Sequence, residues 1–102
     1  MKITFKTANL CLWYFKKHIS KQSVLIGSFG KGHQSKHDID VYIPNLFPKG
    51  YSAGMRRVKF KNKLQSLLDP SEIIDTDWGG MYCKGTPFGD VDVFFDISKF
   101  DF

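Results

Sequence analysis

Two segments of the sequence alternate apolar residues with aspartates, and this alternation constrains the fold more than any other feature. In a β-strand, successive side chains point to opposite faces of the sheet. From Asp38 to Ile43, one face would carry Ile39, Val41 and Ile43, and the other Asp38, Asp40 and Tyr42. From Asp90 to Ile97, Val91, Val93 and Phe95 separate in the same way from Asp90, Asp92, Phe94 and Asp96. Each segment predicts a strand with one core face and one carboxylate face.

Two helices and several short strands are predicted around these segments. The apolar stretch from about Thr7 to Ser20 predicts a largely buried helix that Thr7 caps, with Trp13 and Phe15 in the core. Ser52 can cap a second helix that ends near Leu68. Strands are expected at 23–26, 73–74 and 81–84, with turns at 78–80 and 85–89. The predicted fold class is α+β, a mixed sheet of about four or five strands with two main helices on one face, in a single domain spanning residues 1–102.

The charge balance favours an anionic partner. The 102 residues include 15 Lys and Arg against 10 Asp and Glu, which gives a net charge of +5 and a pI near 9.3. Nucleotides, nucleic acids and acidic proteins all satisfy this preference. Every carboxylate except Glu72 is an aspartate, and short, stiff carboxylates suit metal sites and turns better than helix surfaces.

The sequence shows neither a cysteine motif nor a membrane segment. Cys11 and Cys83 are isolated, which predicts reduced thiols in the core. The apolar stretch from Leu10 to Phe15 is too short to span a bilayer, and no cleavage motif follows it. The expectation is a cytoplasmic protein.

Asp38 and Asp40 form a candidate metal site. Two residues apart on one strand face, their Cα atoms lie roughly 6 to 7 Å apart, so both side chains can reach one or two hard cations. A neighbouring strand would add Asp92 to the same cluster. Asp90 shares a face with Asp92 and is its rival, but Asp92 is preferred because apolar residues flank it on both sides. Such a cluster can activate an attacking oxygen and stabilise a leaving pyrophosphate.

A glycine-rich turn precedes this pair. Gly27 and Ser28 follow a predicted strand and open a segment that can become helical. The backbone N–H groups of such a turn, together with the Ser28 hydroxyl, form a natural phosphate cradle. A phosphate cradle ahead of a metal pair is what nucleotide chemistry requires.

The stretch GSFGKGHQSKHDIDVYI resembles the signature of the polymerase-β-like nucleotidyltransferase superfamily, and the length and element order of the chain resemble its minimal members. The resemblance implies that Gly27 and Ser28 grip a triphosphate and that Asp38 and Asp40 bind metal. Val91-Asp92-Val93 matches the strand that supplies the third aspartate. Lys31 stands where the family more often has Arg and can still neutralise a phosphate, as a point charge. The sequence departs from the family at two further points. His37 replaces a residue that is often small and polar, and the loop leading to Asp38 is about one residue shorter than usual.

The resemblance also implies an activity and partners. It implies transfer of a nucleoside monophosphate from a nucleoside triphosphate, ATP above all, to a hydroxyl on a protein or RNA. Two Mg²⁺ ions, which Mn²⁺ can replace, would assist the transfer. Minimal members often pair with a helical HEPN-type protein as toxin and antitoxin, and some add AMP to that partner. The acceptor and the oligomeric state stay open.

Two other functions fit the sequence. One is a non-catalytic module of the same fold that binds RNA or a protein partner, and the other is a metal-dependent phosphohydrolase or nuclease. His33 and His37 are interpreted as loop polarity or a phosphate contact, because imidazole is a poor ligand for Mg²⁺. A basic stripe of Arg56, Lys59 and Lys63 is interpreted as a solvated helix face, although such a stripe can also hold an acidic acceptor such as RNA. Trp78 and Tyr82 are assigned to packing, although either can stack on a base.

Overall fold

The two alternating segments become neighbouring strands at the centre of a five-stranded sheet. The structure, a computed structural model, describes residues 2–32, 35–44, 53–76 and 80–95. Its elements in chain order are β1 (Ile3–Thr4), α1 (Phe5–His18), β2 (Val24–Ile26), α2 (Gly27–Gly30), β3 (Ser35–Lys36), β4 (Asp38–Tyr42), α3 (Ala53–Leu68), β5 (Glu72–Thr76), β6 (Gly80–Thr86) and β7 (Gly89–Phe94).

The main sheet is mixed, with the strand order β2-β4-β7-β6-β5. Strands β4 and β7 pair in parallel, and the other neighbours pair antiparallel. A separate two-stranded sheet joins β1 to β3, which the sequence pattern did not predict. The predicted α+β class, with its mixed sheet of four or five strands and two main helices, is confirmed.

The core lies between one face of this sheet and the helices α1 and α3. The alternation places apolar side chains of β4, β6 and β7 on this face, and helical periodicity places Ala8, Cys11 and Phe15 of α1 against them. From α3, the core receives Phe60, Leu64 and Leu68. The Tyr14 hydroxyl donates a 2.8 Å hydrogen bond to the Leu67 carbonyl and ties the two helices together. The aspartates of β4 and β7 therefore point away from α1 and α3.

The first helix differs from its prediction at the cap and on its outer side. It begins at Phe5, and its cap is Thr4, whose hydroxyl accepts a 3.2 Å hydrogen bond from the Thr7 N–H. The assignment of Trp13 to the core is wrong, because Trp13 is 59% exposed, whereas Phe15 is fully buried. The helix has more apolar residues than one buried side can accommodate. Neither α1 nor any other described helix combines the length and apolar character needed to cross a bilayer.

The last hairpin is longer than predicted. Strand β6 runs from Gly80 to Thr86 and includes Gly85, which was expected in a loop, so the turn is confined to Pro87 and Phe88. Strand β5 likewise extends over Glu72–Thr76. The predicted cap Ser52, the residues Trp78 and Gly79 of the predicted turn, and the end of the last predicted strand at 96–97 lie outside the described residues.

Cys11 and Cys83 will resist alkylation in the native protein. Both are free thiols with no exposed surface, as predicted. Burial raises the pKa of each thiol to about 12, with smaller contributions from the charge of Cys83 on Cys11 and of Asp92 on Cys83. Because the thiolate is the nucleophile, iodoacetamide at pH 8 should label neither residue until urea unfolds the chain. Mass spectrometry after timed labelling measures this, and alkylation of either thiol without urea would contradict the buried placement.

Candidate functional site

Four aspartates lie on the sheet face opposite the core. In the parallel pairing of β4 with β7, Asp38 lies opposite Asp90 and Asp40 lies opposite Asp92. Paired residues of neighbouring strands point to the same side of the sheet, about 4.8 Å apart along the hydrogen-bonding direction. The strand register therefore places Asp92 beside Asp40, the arrangement that a shared cation requires. Whether these residues bind metal remains a prediction.

Asp90 and Asp92 differ in their surroundings. The Oδ1 atom of Asp90 accepts a 3.0 Å hydrogen bond from the Gly85 N–H, and its Oδ2 accepts a long one of 3.5 Å from the Tyr82 hydroxyl. Both contacts hold the β6–β7 hairpin together, so Asp90 has a structural role. Asp92 is only 6% exposed, and its position opposite Asp40 makes it the better candidate for the third ligand.

Asp92 is a buried carboxylate. Transferring a carboxylate out of water costs free energy unless hydrogen bonds or an opposite charge compensate it. Asp92 interacts with other parts of the protein, yet its buried Oδ1 atom accepts no hydrogen bond within the described part of the chain. An oxygen in this position is chemically suited to a hard cation.

Tyr82, for which the sequence predicts core or hairpin packing, lies on this face and contacts Asp90 across the β6–β7 hairpin. It lies opposite Asp92 on β6 and is half-buried. Its pKa is raised to about 12, first by burial and then by the negative charges of Asp90, Asp38 and Asp92. Strand alternation separates Tyr82 from Met81 and Cys83, but only the pairing with β7 identifies the carboxylate face as its side of the sheet.

Gly27 brings the backbone against Asp40. Strand β2 ends at Ile26, directly opposite Asp40, and α2 begins at Gly27 with φ +63°. A Cβ atom at Gly27 would overlap Oδ2 of Asp40 and lie 3.3 Å from its Cγ atom. The close approach therefore needs glycine both for its φ and for its missing side chain.

Ser28 and Lys31 follow at the same edge of the sheet. Ser28 is half-buried in the single turn of α2, and Lys31 is exposed just beyond it. The backbone N–H of Lys31 donates to the carbonyls of Gly27 and Ser28 at 3.1 and 3.2 Å, which closes the turn. The predicted phosphate-binding residues Gly27, Ser28 and Lys31 are thus grouped in one turn next to Asp40.

Three of the weaker candidates, His37, Lys59 and Lys63, lie within the described part of the chain. His37 is exposed just before β4, and Lys59 and Lys63 are exposed on α3. His33 and the side chain of Arg56 lie outside the described residues. Among the described residues, these placements add no ligand to the carboxylate face.

Replacing Gly27 with alanine should disturb Asp40 as well as the backbone. A non-glycine residue in the left-handed region costs about 1 to 2 kcal/mol of stability, and the added Cβ must displace the Asp40 carboxylate. Gly32→Ala is the matched control, because Gly32 also has a positive φ, +90°, but a Cβ there meets no atom within 4 Å. Urea denaturation should show a loss for both variants, while Mn²⁺ titration should show weaker binding only for Gly27→Ala. Equal Mn²⁺ affinity in the two variants would contradict the role given to this contact.

The carboxylates share one face of the sheet, but they do not form a ready-made metal site among the described residues. Within residues 2–32, 35–44, 53–76 and 80–95, no three His, Cys, Asp or Glu side chains are already arranged as a metal site. Side-chain rotation on the two central strands would have to bring their oxygens together. No protein-family model matches this chain, and no curated protein matches it.

Proposed function

We propose that this protein is a Mg²⁺-dependent nucleotidyltransferase that transfers a nucleoside monophosphate from a nucleoside triphosphate to a hydroxyl group. The observation that carries the proposal is the register of β4 and β7, which pairs Asp40 with Asp92 beside the Gly27 turn. ATP is the donor we propose, and the acceptor is a hydroxyl on a protein or RNA. A HEPN-type helical partner within a toxin–antitoxin pair is one such acceptor.

The donor set on this face fits Mg²⁺. Asp38, Asp40 and Asp92 offer hard oxygen ligands on two adjacent strands, as this ion prefers. When bound, Mg²⁺ would lower the pKa of the acceptor hydroxyl and neutralise charge on the leaving pyrophosphate. The negative charge that Tyr82 and Cys83 experience from these aspartates also favours a cation here.

The Gly27 turn would hold the triphosphate. The missing side chain at Gly27 lets the backbone of the turn approach Asp40 closely, so a phosphate held by this turn would lie near a cation bound to Asp40. The Ser28 hydroxyl would donate a hydrogen bond to a phosphate oxygen, and the exposed Lys31 would supply a positive charge. These residues would fix the donor so that the acceptor hydroxyl can attack in line, and positioning supplies much of the rate enhancement in such reactions.

A second candidate function is that of a non-catalytic module that uses this fold to bind RNA or protein. The observation that favours it is the open arrangement of the carboxylates, since the described residues hold no ready-made group of three ligands. It predicts no gain in stability with Mg²⁺ and no transfer chemistry.

A transfer assay separates the candidates. The purified protein is incubated with Mg²⁺, each α-labelled nucleoside triphosphate, and a panel of RNA and protein acceptors. We expect label on an acceptor, and its loss in the double variant Asp38→Ala plus Asp40→Ala. Transfer that survives in the double variant would refute the mechanism. Release of labelled monophosphate without an acceptor product would favour a hydrolase.

A further inference from the structure

The outer side of α1 presents a stripe of side chains that neither the core nor the carboxylate face uses. Leu10 is 54% exposed and Trp13 is 59% exposed. Lys6 and Lys17 flank them at the spacing of three or four residues that aligns side chains along a helix. Lys6, Leu10, Trp13 and Lys17 therefore form one row, here called the α1 stripe. The opposite side of the helix is the one packed in the core.

The centre of the α1 stripe is a flat, accessible aromatic surface beside cations. The Lys17 Nζ atom lies 4.9 Å from the centroid of the Trp13 ring, which is within the range of a cation–π interaction. An open groove lined by Phe5, Lys6, Asn9, Leu10 and Trp13 runs alongside. With more than half of its surface exposed, the indole still offers area on which a planar group can stack.

The first 37 residues of the chain carry charge of one sign only. No Asp or Glu precedes Asp38 in the sequence, whereas lysines recur throughout the same stretch, at Lys2, Lys6, Lys16, Lys17, Lys21, Lys31 and Lys36. All three lysines of α1 are exposed. This charge favours an anionic partner. A second copy that docked through the same face would set lysines against lysines, which disfavours that form of self-association.

The composition of the α1 stripe favours nucleic acid over an acidic protein. The cores of protein interfaces are depleted in lysine, and a standard interface buries about 800 Å² on each partner, more than Leu10 and Trp13 can cover. Single-stranded nucleic acid needs less area, since it combines bases stacked on aromatic rings with phosphates paired to cations. A duplex keeps its bases stacked inside and offers none to the indole.

We propose that the α1 stripe binds single-stranded nucleic acid, with an unpaired base stacked on Trp13 and backbone phosphates paired with Lys6 and Lys17. Because α1 packs against the core face of the sheet, this surface is separate from the aspartates. The proposal therefore does not depend on nucleotidyl transfer.

The test measures the affinity and salt dependence of oligonucleotide binding. Fluorescence anisotropy follows labelled oligo-U and oligo-dT strands of about 12 nucleotides, within the site sizes of known single-strand binders. Each phosphate that the protein neutralises contributes about −0.7 to the slope of log affinity against log salt concentration. The double variant Lys6→Ala plus Lys17→Ala should therefore reduce the magnitude of this slope by about 1.4. Trp13→Ala should weaken binding about fivefold or more, as expected for one lost stack, and leave the slope unchanged. Trp13→Phe should recover part of the loss.

Matched variants make the result decisive. Lys61→Ala plus Lys63→Ala removes two exposed charges from α3 and should leave affinity nearly unchanged. Asp38→Ala plus Asp40→Ala should still bind, which separates this result from the outcome of the transfer assay. Binding of either oligo-U or oligo-dT, with these losses of affinity in the variants, supports the proposal. Three results would overturn it: equal losses in the α1 and α3 double variants, a duplex bound as tightly as the single strands, or a Glu-rich peptide bound at the α1 stripe when no oligonucleotide binds.

Discussion

Asp92→Asn should abolish most Mg²⁺-dependent transfer while leaving the metal-free protein as stable as before or more stable. A metal ion supplies several kcal/mol of transition-state stabilisation, so loss of a ligand should reduce the transfer rate about a thousandfold. Without metal, like charges directly opposite in a sheet destabilise it, and the substitution should relieve up to about 1 kcal/mol of repulsion between Asp92 and Asp40. A residue that only supports the fold would not give these opposite effects.

Thermal unfolding with and without metal measures the second half of this prediction. A ligand at a hundredfold excess over its dissociation constant stabilises the native state by about 2.7 kcal/mol, so saturating Mg²⁺ or Mn²⁺ should raise the melting temperature of the unmodified protein and leave that of Asp92→Asn unchanged. Asp90→Asn is the matched control. Asp90 shares the sheet face with Asp92 but holds the hairpin, so the metal affinity of the Asp90→Asn protein should fall by no more than about tenfold. If Asp90→Asn lost metal binding and Asp92→Asn retained it, the third ligand would be Asp90.

Phe15→Ala should destabilise the protein by about 3 to 5 kcal/mol, whereas Trp13→Ala should cost less than about 1 kcal/mol. The two residues lie two positions apart on α1, yet Phe15 is fully buried and Trp13 is 59% exposed. Removing the Phe15 ring leaves a cavity among packed neighbours that can only partly relax. Removing the Trp13 indole exposes little that water did not already reach.

Urea denaturation of the two variants gives this comparison directly. Native stabilities of small domains are about 5 to 15 kcal/mol, so Phe15→Ala should be close to the limit of folding. The circular dichroism spectrum of Trp13→Ala should match that of the unmodified chain. The nucleic-acid experiment also requires that this variant be folded. Equal destabilisation by the two substitutions would mean that Trp13 is buried, as the apolar pattern of this segment predicts.

Local pattern was sufficient for the two central strands, β4 and β7, and for their two faces. Alternation along β4 and β7 correctly separated the core side chains from the aspartates, because the pleat of a strand forces this separation wherever one face is buried. It was less informative for α1, where apolar residues surround the helix and the buried side depends on what packs against it. Thr4 replaced Thr7 as the cap because the helix begins where β1 ends.

From the sequence alone follow the α+β class, the Asp38 and Asp40 pair, and the Gly27 turn, since each depends on residues close together in the chain. Only the tertiary structure decided that Asp92 faces Asp40, that Asp90 braces the last hairpin, that Tyr82 joins the carboxylate face, and that Trp13 is exposed. The physical reason is that strand register and helix orientation arise from contacts between residues far apart in sequence. A shift of one residue in the β4–β7 register would turn Asp92 to the opposite face of the sheet from Asp40.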